Sequence, residues 1–309
     1  MTEHTLTESQ QEQFHYTVGP YADPALEVEP GDTIAVETVD AFEGKIESED
    51  DKPSDVLEMP YLNPQSGPIY VEGAEKGDAV AVTIESIEPR GPQPRGTTCL
   101  VPYFGGLTAT DKTAMLHDPL PEIVKKLDVT TEGVEWDDDI TIPYEPFIGT
   151  ISTAPEIDSV GALTPHEHGG NMDLPDVNPG TTVYLPVSTE GGLVYLGDCH
   201  AAQGDGELCG VAIEHPTTTT ITVDLIDDWS LEWPRLEDEE KIMSVGSVRP
   251  MEDAARIAYR DLIDWMAADY GFDELEAYML LTQVGEVRLG NMVDPNYTIG
   301  AAISKEYLQ

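Results

Sequence analysis

Three times in this chain a glycine-containing turn is followed at once by a short run of alternating apolar and β-branched residues. Pro30-Gly31-Asp32 precedes residues 33–36, Lys76-Gly77-Asp78 precedes 79–84, and Pro179-Gly180-Thr181 precedes 182–187. Glycine supplies the positive φ that such turns need, and β-branched side chains suit a pleated, half-buried surface. Further strands are expected at 193–197, 210–214 and 218–225, with Thr189-Glu190-Gly191-Gly192 as a hairpin turn joining two of them. Helical periodicity comes late. In residues 251–268, Ala254, Ala255, Ile257, Ala258, Leu262, Ile263, Trp265 and Met266 recur at three-to-four spacing, and Gly271 follows as a stop. A second helix is expected at 274–283 and another within 121–126, while 89–96 and 229–240 read as loops. The fold class is therefore mainly β with α, helices concentrated toward the C-terminus. One domain over 1–309 is expected, β-rich over 1–230 and helical over 250–285.

The charge is lopsided. Sixty acidic residues face fifteen basic ones, a formal net charge of −45 over 309 residues. The acids are dispersed, with only short runs such as Asp137-Asp138-Asp139, so they do not form an acidic tail. Hydrophobic residues make up 40%, too many for a disordered acidic chain. In roughly 1 M salt the Debye length is about 3 Å and dispersed like charges repel little. The pattern reads as halophilic adaptation, and it argues against nucleic acid or an anionic membrane as a partner. The N-terminal residues lack the basic and apolar regions of a secretory signal, and no run approaches a membrane span. A cytoplasmic protein is expected.

Four of the seven histidines, His166, His168, His200 and His215, lie within fifty residues of one another. Glu167, Asn171, Asp173, Asp198, Asp205, Glu207 and Glu214 surround them. Imidazole and carboxylate are the usual ligands of zinc-type ions. Strand alternation points Asp198 and His200 to one face and Cys199 to the other, so Cys199 reads as a buried structural cysteine rather than a nucleophile, and Cys209 likewise. Gly204, Gly206 and Gly210 interleave with Gln203, Asp205 and Glu207, a density that lets backbone approach a small ligand. Acids are common throughout this chain, however. Spacing alone leaves a metal site and a merely solvated loop both open.

At these residues the chain resembles the acetamidase/formamidase family. The likeness runs through Glu37-Thr38-Val39-Asp40-Ala41-Phe42, Asn63-Pro64-Gln65-Ser66-Gly67-Pro68 and the stretch to Ala74, and Pro146-Phe147-Ile148-Gly149-Thr150-Ile151. It continues in His168-Gly169-Gly170-Asn171-Met172-Asp173, in the segment from Gly197 to Glu207, and in Glu276-Ala277-Tyr278-Met279-Leu280. The resemblance implies hydrolysis of a small linear amide (acetamide, formamide or similar) to a carboxylate and ammonia. It also implies a divalent metal, zinc by preference, and a homo-oligomer. Carried over, Asp173, Asp198 and His200 are the first metal ligands, with His168, Asp40 and Glu214 as further ones. Glu207 becomes general base and then acid, Asn171 an oxyanion partner, and Gln203 and Gly170 substrate contacts. The acids at 43–55 and 137–139 depart from the family pattern as surface changes, and Gln65-Ser66 stands where a Thr is expected before Gly67.

Two other readings remain at this point. A cupin-like metal enzyme would use His166-x-His168 followed by Asp173 and Gly180, but the segment from Gly197 to Glu207 lacks the second cupin motif. A non-catalytic β-rich binding protein would leave the polar cluster without a reaction.

Overall fold

The computed structural model describes residues 2–11, 13–108 and 118–308. Its largest element is a nine-stranded sheet that starts at Glu3–Leu6 and crosses Asp32–Glu37, Thr217–Ile226, Ala79–Pro89 and Thr182–Pro186. It continues through Arg235–Glu237, Lys241–Val248 and Tyr297–Ser304 and ends at Glu286–Leu289. The first pair runs parallel and the others antiparallel. All three turn-and-strand units of the sequence lie in this sheet, and Asp32–Glu37 alternates buried and half-buried as its pattern predicts.

A second sheet holds Gly169–Asn171, Phe147–Ser152, Val194–His200, Gln65–Val71 and Leu26–Val28, in that order. Val82, Ile84, Ile221 and Val223 of the first sheet share one apolar cluster with Ile69, Ile148, Ile151 and Leu196 of the second. The two sheets thus face each other across a common core. Phe147–Ser152 and Val194–His200 are buried at every position, so neither face of these strands meets water. On the far side of the large sheet lie the helices Met251–Tyr270 and Glu274–Val284. Alternation divides the strands beneath them: Met243, Val245 and Ala302 enter the inter-sheet core. Ile242, Ile299, Ala301 and Ile303 instead meet Ala258, Leu262, Trp265 and Met266 of the first helix. A Cβ at Gly246 would collide with the Ala254 carbonyl oxygen, so this glycine lets the helix seat directly on the sheet. Gly271 closes that helix in the left-handed conformation at φ 72°, as expected of a stop.

Several local expectations are corrected. The segment expected to be helical within 121–126 opens the strand Ile123–Thr130, which pairs with Arg95–Leu100. Its β-branched residues, with Val124, Leu127 and Val129 buried, outweigh the helix-forming lysines. The Thr189–Gly192 turn joins no hairpin: Thr182–Pro186 belongs to the large sheet and Val194–His200 to the smaller, so the turn carries the chain across the core. Arg235–Glu237 is a strand inside the expected loop 229–240. Residues 210–214 form no strand beyond bridges of Glu214 to Thr97 and His200. The Ala212 N–H donates to the carboxylates of Glu207 and Glu214 instead of to a neighbouring strand. Cys209 is half-buried rather than buried.

Candidate active site

The smaller sheet ends in a buried knot of acids. Val194–His200 delivers Asp198 and His200, Gly169–Asn171 delivers Asn171 with Asp173 just after it, and the glycine-rich loop beyond His200 brings in Glu207 and Glu214. The knot's side chains converge in three overlapping groups: Asp173, Asp198 and His200; His200, Glu207 and Glu214; and Asp173, Glu207 and Asp294. Within each group the potential ligand atoms lie within 4.8 Å of one another. His200 Nε2 stands 3.2 Å from Glu214 Oε1 and 3.5 Å from Asp198 Oδ1.

The backbone is bent to make this possible. Asn63, Asp173, Asp198 and Glu207 all adopt left-handed φ, between 48° and 58°. Such backbone costs a non-glycine residue on the order of 1–3 kcal/mol and persists where the surrounding structure enforces it. Gly149 makes the room. A Cβ there would lie 2.8 Å from Asp198 Oδ2 and 3.0 Å from Asp173 Oδ1, so only glycine leaves both carboxylates their positions.

Hydrogen bonds fix the carboxylates from behind. Asn171 Nδ2 donates to Asp173 Oδ2 at 3.0 Å and to Asp294 Oδ2 at 2.7 Å, while its Oδ1 accepts from Asn63 Nδ2 at 2.7 Å and from Thr150 Oγ1. Its N–H groups are thus spent, and the expected oxyanion role gives way to that of a hub. Gln203 stands behind His200 rather than against a substrate. Its Nε2 donates to the carbonyls of Asp173 (2.9 Å) and Gly290 (3.0 Å), which leaves Oε1 to accept from His200 Nδ1 at 2.9 Å. A proton is therefore held on Nδ1, and Nε2 is the ring nitrogen that faces the acids.

Other expectations are displaced. His168 lies outside the knot, in a separate cleft with His166 and Glu167, and Gly170 packs against Thr164 and His168. Both sit there because the Gly169–Asn171 strand turns only Asn171 toward the acids. Asp40 accepts from the backbone N–H groups of Phe42 (3.0 Å) and Gly44 (2.8 Å), so it closes a turn. Cys199 points away from His200, its Sγ 3.6 Å from Thr219 Oγ1, and burial raises its thiol pKa. A nucleophilic role is excluded by that direction. Asn63, Gly149, Thr150 and Asp294 are the site residues that the sequence reading missed.

Burying these acids together has an electrostatic consequence. Two like charges 4 Å apart at an effective dielectric of 20 repel by about 4 kcal/mol. Burial, with Asp198 adding repulsion, pushes Glu214 up to about 8. Burial pushes Asp294 up to about 7 against hydrogen bonds from Asp173 and Asn171. Asp173 and Glu207 are held well above the carboxylate range by burial and neighbouring acids. Burial alone would lower the His200 imidazole, but Glu214 and Asp198 outweigh it and hold it well above its ordinary value. Three atoms of the knot, His200 Nε2, Asp173 Oδ1 and Glu214 Oε2, are buried without a hydrogen bond. A divalent cation would satisfy all of these conditions, and one imidazole with carboxylates is a donor set suited to a zinc-type ion.

Asp198, Glu207, Glu214 and Asp294 of the knot line a cavity of about 190 Å³ together with Asn63, Asn171, apolar side chains such as Phe42 and Phe104, and Arg249. Arg249 is the basic side chain among its described lining residues, and it donates to the Asp294 carbonyl.

The acetamidase/formamidase family model matches residues 2–163 and 156–308. The chain is 28% identical over 259 residues to an acetamidase of Mycolicibacterium smegmatis, an alignment covering 65% of this chain and 63% of that protein. It is 30% identical over 259 residues to a formamidase of Methylophilus methylotrophus, covering 65% and 61%. The alignments thus span under two thirds of these relatives' length. Among solved structures, an acetamidase from Yersinia enterocolitica is 60% identical, with a TM-score of 0.98 over 99% of this chain and 93% of that one.

Proposed function

The chain belongs to the acetamidase/formamidase family, and from that premise we propose that it hydrolyses small linear amides to a carboxylate and ammonia at a divalent metal, zinc, held by Asp173, Asp198 and His200. The observation that carries this reading is the set of buried, unbonded atoms on His200, Asp173 and Glu214, gathered among acids that repel one another unless a cation joins them. A bound divalent ion supplies two things there, a water of lowered pKa and polarisation of the amide carbonyl.

The rest is the work of the chain's own residues. Gln203 holds His200 in the tautomer whose Nε2 is a ligand. Asn171 and Asn63 hold Asp173 and Asp198 in position. Glu207 Oε1 accepts the Ala212 N–H at 3.0 Å, which leaves Oε2 to take the proton of the attacking water and pass it to the departing nitrogen. Burial and neighbouring acids hold the Glu207 carboxyl well above the carboxylate range, and a positive charge beside it would favour the carboxylate form that can accept a proton. Arg249, which also lines the cavity, donates to the Asp294 carbonyl. The cupin-like reading loses support because His166 and His168 lie in another cleft.

The test is ammonia release from formamide, acetamide and propionamide by protein kept in molar KCl, with metal analysis of the same sample. We expect release that a chelator abolishes and zinc restores; folded, metal-loaded protein releasing none from any amide would overturn the reading. A second expectation concerns Gln203→Leu. Losing the acceptor behind His200 should weaken zinc binding by about 10–100-fold, measured by competition with a chromogenic chelator. Unchanged affinity would remove Gln203 from this role.

A further inference from the structure

We infer that the acyl group of the preferred substrate is much larger than acetyl, an aromatic or medium-chain group of about benzene size; the inference rests on the amide reading above. The cavity beside the acidic knot is lined by two unlike sets of side chains. Its floor is Asn63, Asn171, Asp198, Glu207, Glu214 and Asp294. Its apolar wall includes Phe42, Leu62, Phe104, Leu163, Val211 and Val293. Water, ammonia and the carboxamide find partners on the floor and none on that wall.

The size of the cavity is the second part of the argument. At about 190 Å³ it exceeds the roughly 150 Å³ that suffices for a benzene ring in an apolar cavity. Acetamide brings a single methyl group to this space and would leave most of the wall against water or void, both unfavourable. The wall is also built in rather than incidental. Phe42, Val211 and Val293 are buried. Phe104 packs onto Gly210, where any Cβ would collide with its ring, at a φ of 82° that itself favours glycine. The apolar wall is thereby fixed directly against the loop that carries Glu207. An acyl chain attached to a carbonyl on the floor would have to run along it.

The substrate class is therefore primary amides of arylacetic or medium-chain carboxylic acids. The experiment is kcat/KM for ammonia release along acetamide, butanamide, hexanamide and phenylacetamide. Burying each added methylene is worth about fourfold, so a rise on the order of 100-fold from acetamide to hexanamide is expected, with phenylacetamide also well above acetamide. A flat or falling series, with acetamide hydrolysed, would overturn this inference and leave the amide reading standing. No ammonia from any member would overturn both. Leu62→Trp and Leu163→Trp, at half-buried wall positions, should each lower the phenylacetamide-to-acetamide ratio of kcat/KM by about tenfold. A ratio unmoved in both variants would show that the acyl group does not lie on this wall.

Discussion

Glu207→Gln is expected to keep its metal and to lose amide turnover by about 10²–10⁴, the usual contribution of a positioned proton carrier. The substitution is close to isosteric and retains an oxygen for the Ala212 N–H, so the loop should hold its shape. What it removes is the ability to accept a proton at the second oxygen. The fall should appear in kcat, in single-turnover as well as steady-state measurements, with zinc content unchanged. Glu207 also lies within ligand distance of His200 with Glu214, and of Asp173 with Asp294. Loss of metal from Glu207→Gln would therefore make it a ligand, and normal turnover would make another group the base.

Asp198→Ala should lose metal and activity together, with activity down by at least about 10³, because the variant removes one of three first-choice ligands and the carboxylate nearest His200 on its own strand. The metal-free parent should also show a particular pH dependence. Asp294 and Glu214 have folded pKa values raised to about 7 and about 8, above the ordinary value of about 4. The folded chain then holds protons that the unfolded chain releases, so the stability these groups contribute is lost as pH rises through 7 and 8. His200, raised as well, acts in the same direction. His168 and His215, lowered to about 4 by burial, act oppositely and destabilise the fold as pH falls from 6.5 toward 4. In chelator, the melting temperature should therefore fall by a few degrees from about pH 6 to pH 8, above the range in which the two histidines oppose the acids. Zinc should reverse the slope above pH 6, since its ligands bind deprotonated. A metal-free melting temperature that climbs from pH 6 to pH 8 would contradict the account of the acidic knot.

The β character of the chain was legible in its turns because period-two patterning and turn chemistry are local. The three glycine turns each start a strand of the large sheet, and Gly271 ends its helix. Partnership is not local. Nothing in Thr189–Gly192 tells a hairpin from a crossing between sheets, and residues 210–214 alternate like a strand although their backbone serves carboxylates. The same division holds in the site. Asp198 and His200 could be paired by alternation, since they share a strand. Asp173 and Glu207 came with the family resemblance. Asp294 gave no signal, being one acid among sixty in an irregular segment far along the chain. Asn63 and Gly149 stood within matched motifs, but their roles exist only through contacts with distant residues. Polar side chains near a site also look alike in sequence. Only hydrogen-bond geometry separates Gln203, turned toward the buried His200, from a residue turned toward substrate.

The segment around Asn291 stitches the acidic knot shut. Gly290 accepts from Gln203, Met292 bonds to Gly206, Asn291 reaches the Asn171 carbonyl, and Asp294 receives the Asn171 amide. A ribosome making this chain would release Asp173, Asp198 and His200 long before the segment that braces them. During that interval these side chains would be loose, with no fixed geometry by which to discriminate among cellular ions. Loading of the proposed metal would then be a late event in biogenesis, and a tightly held ion would mark a chain that has finished folding.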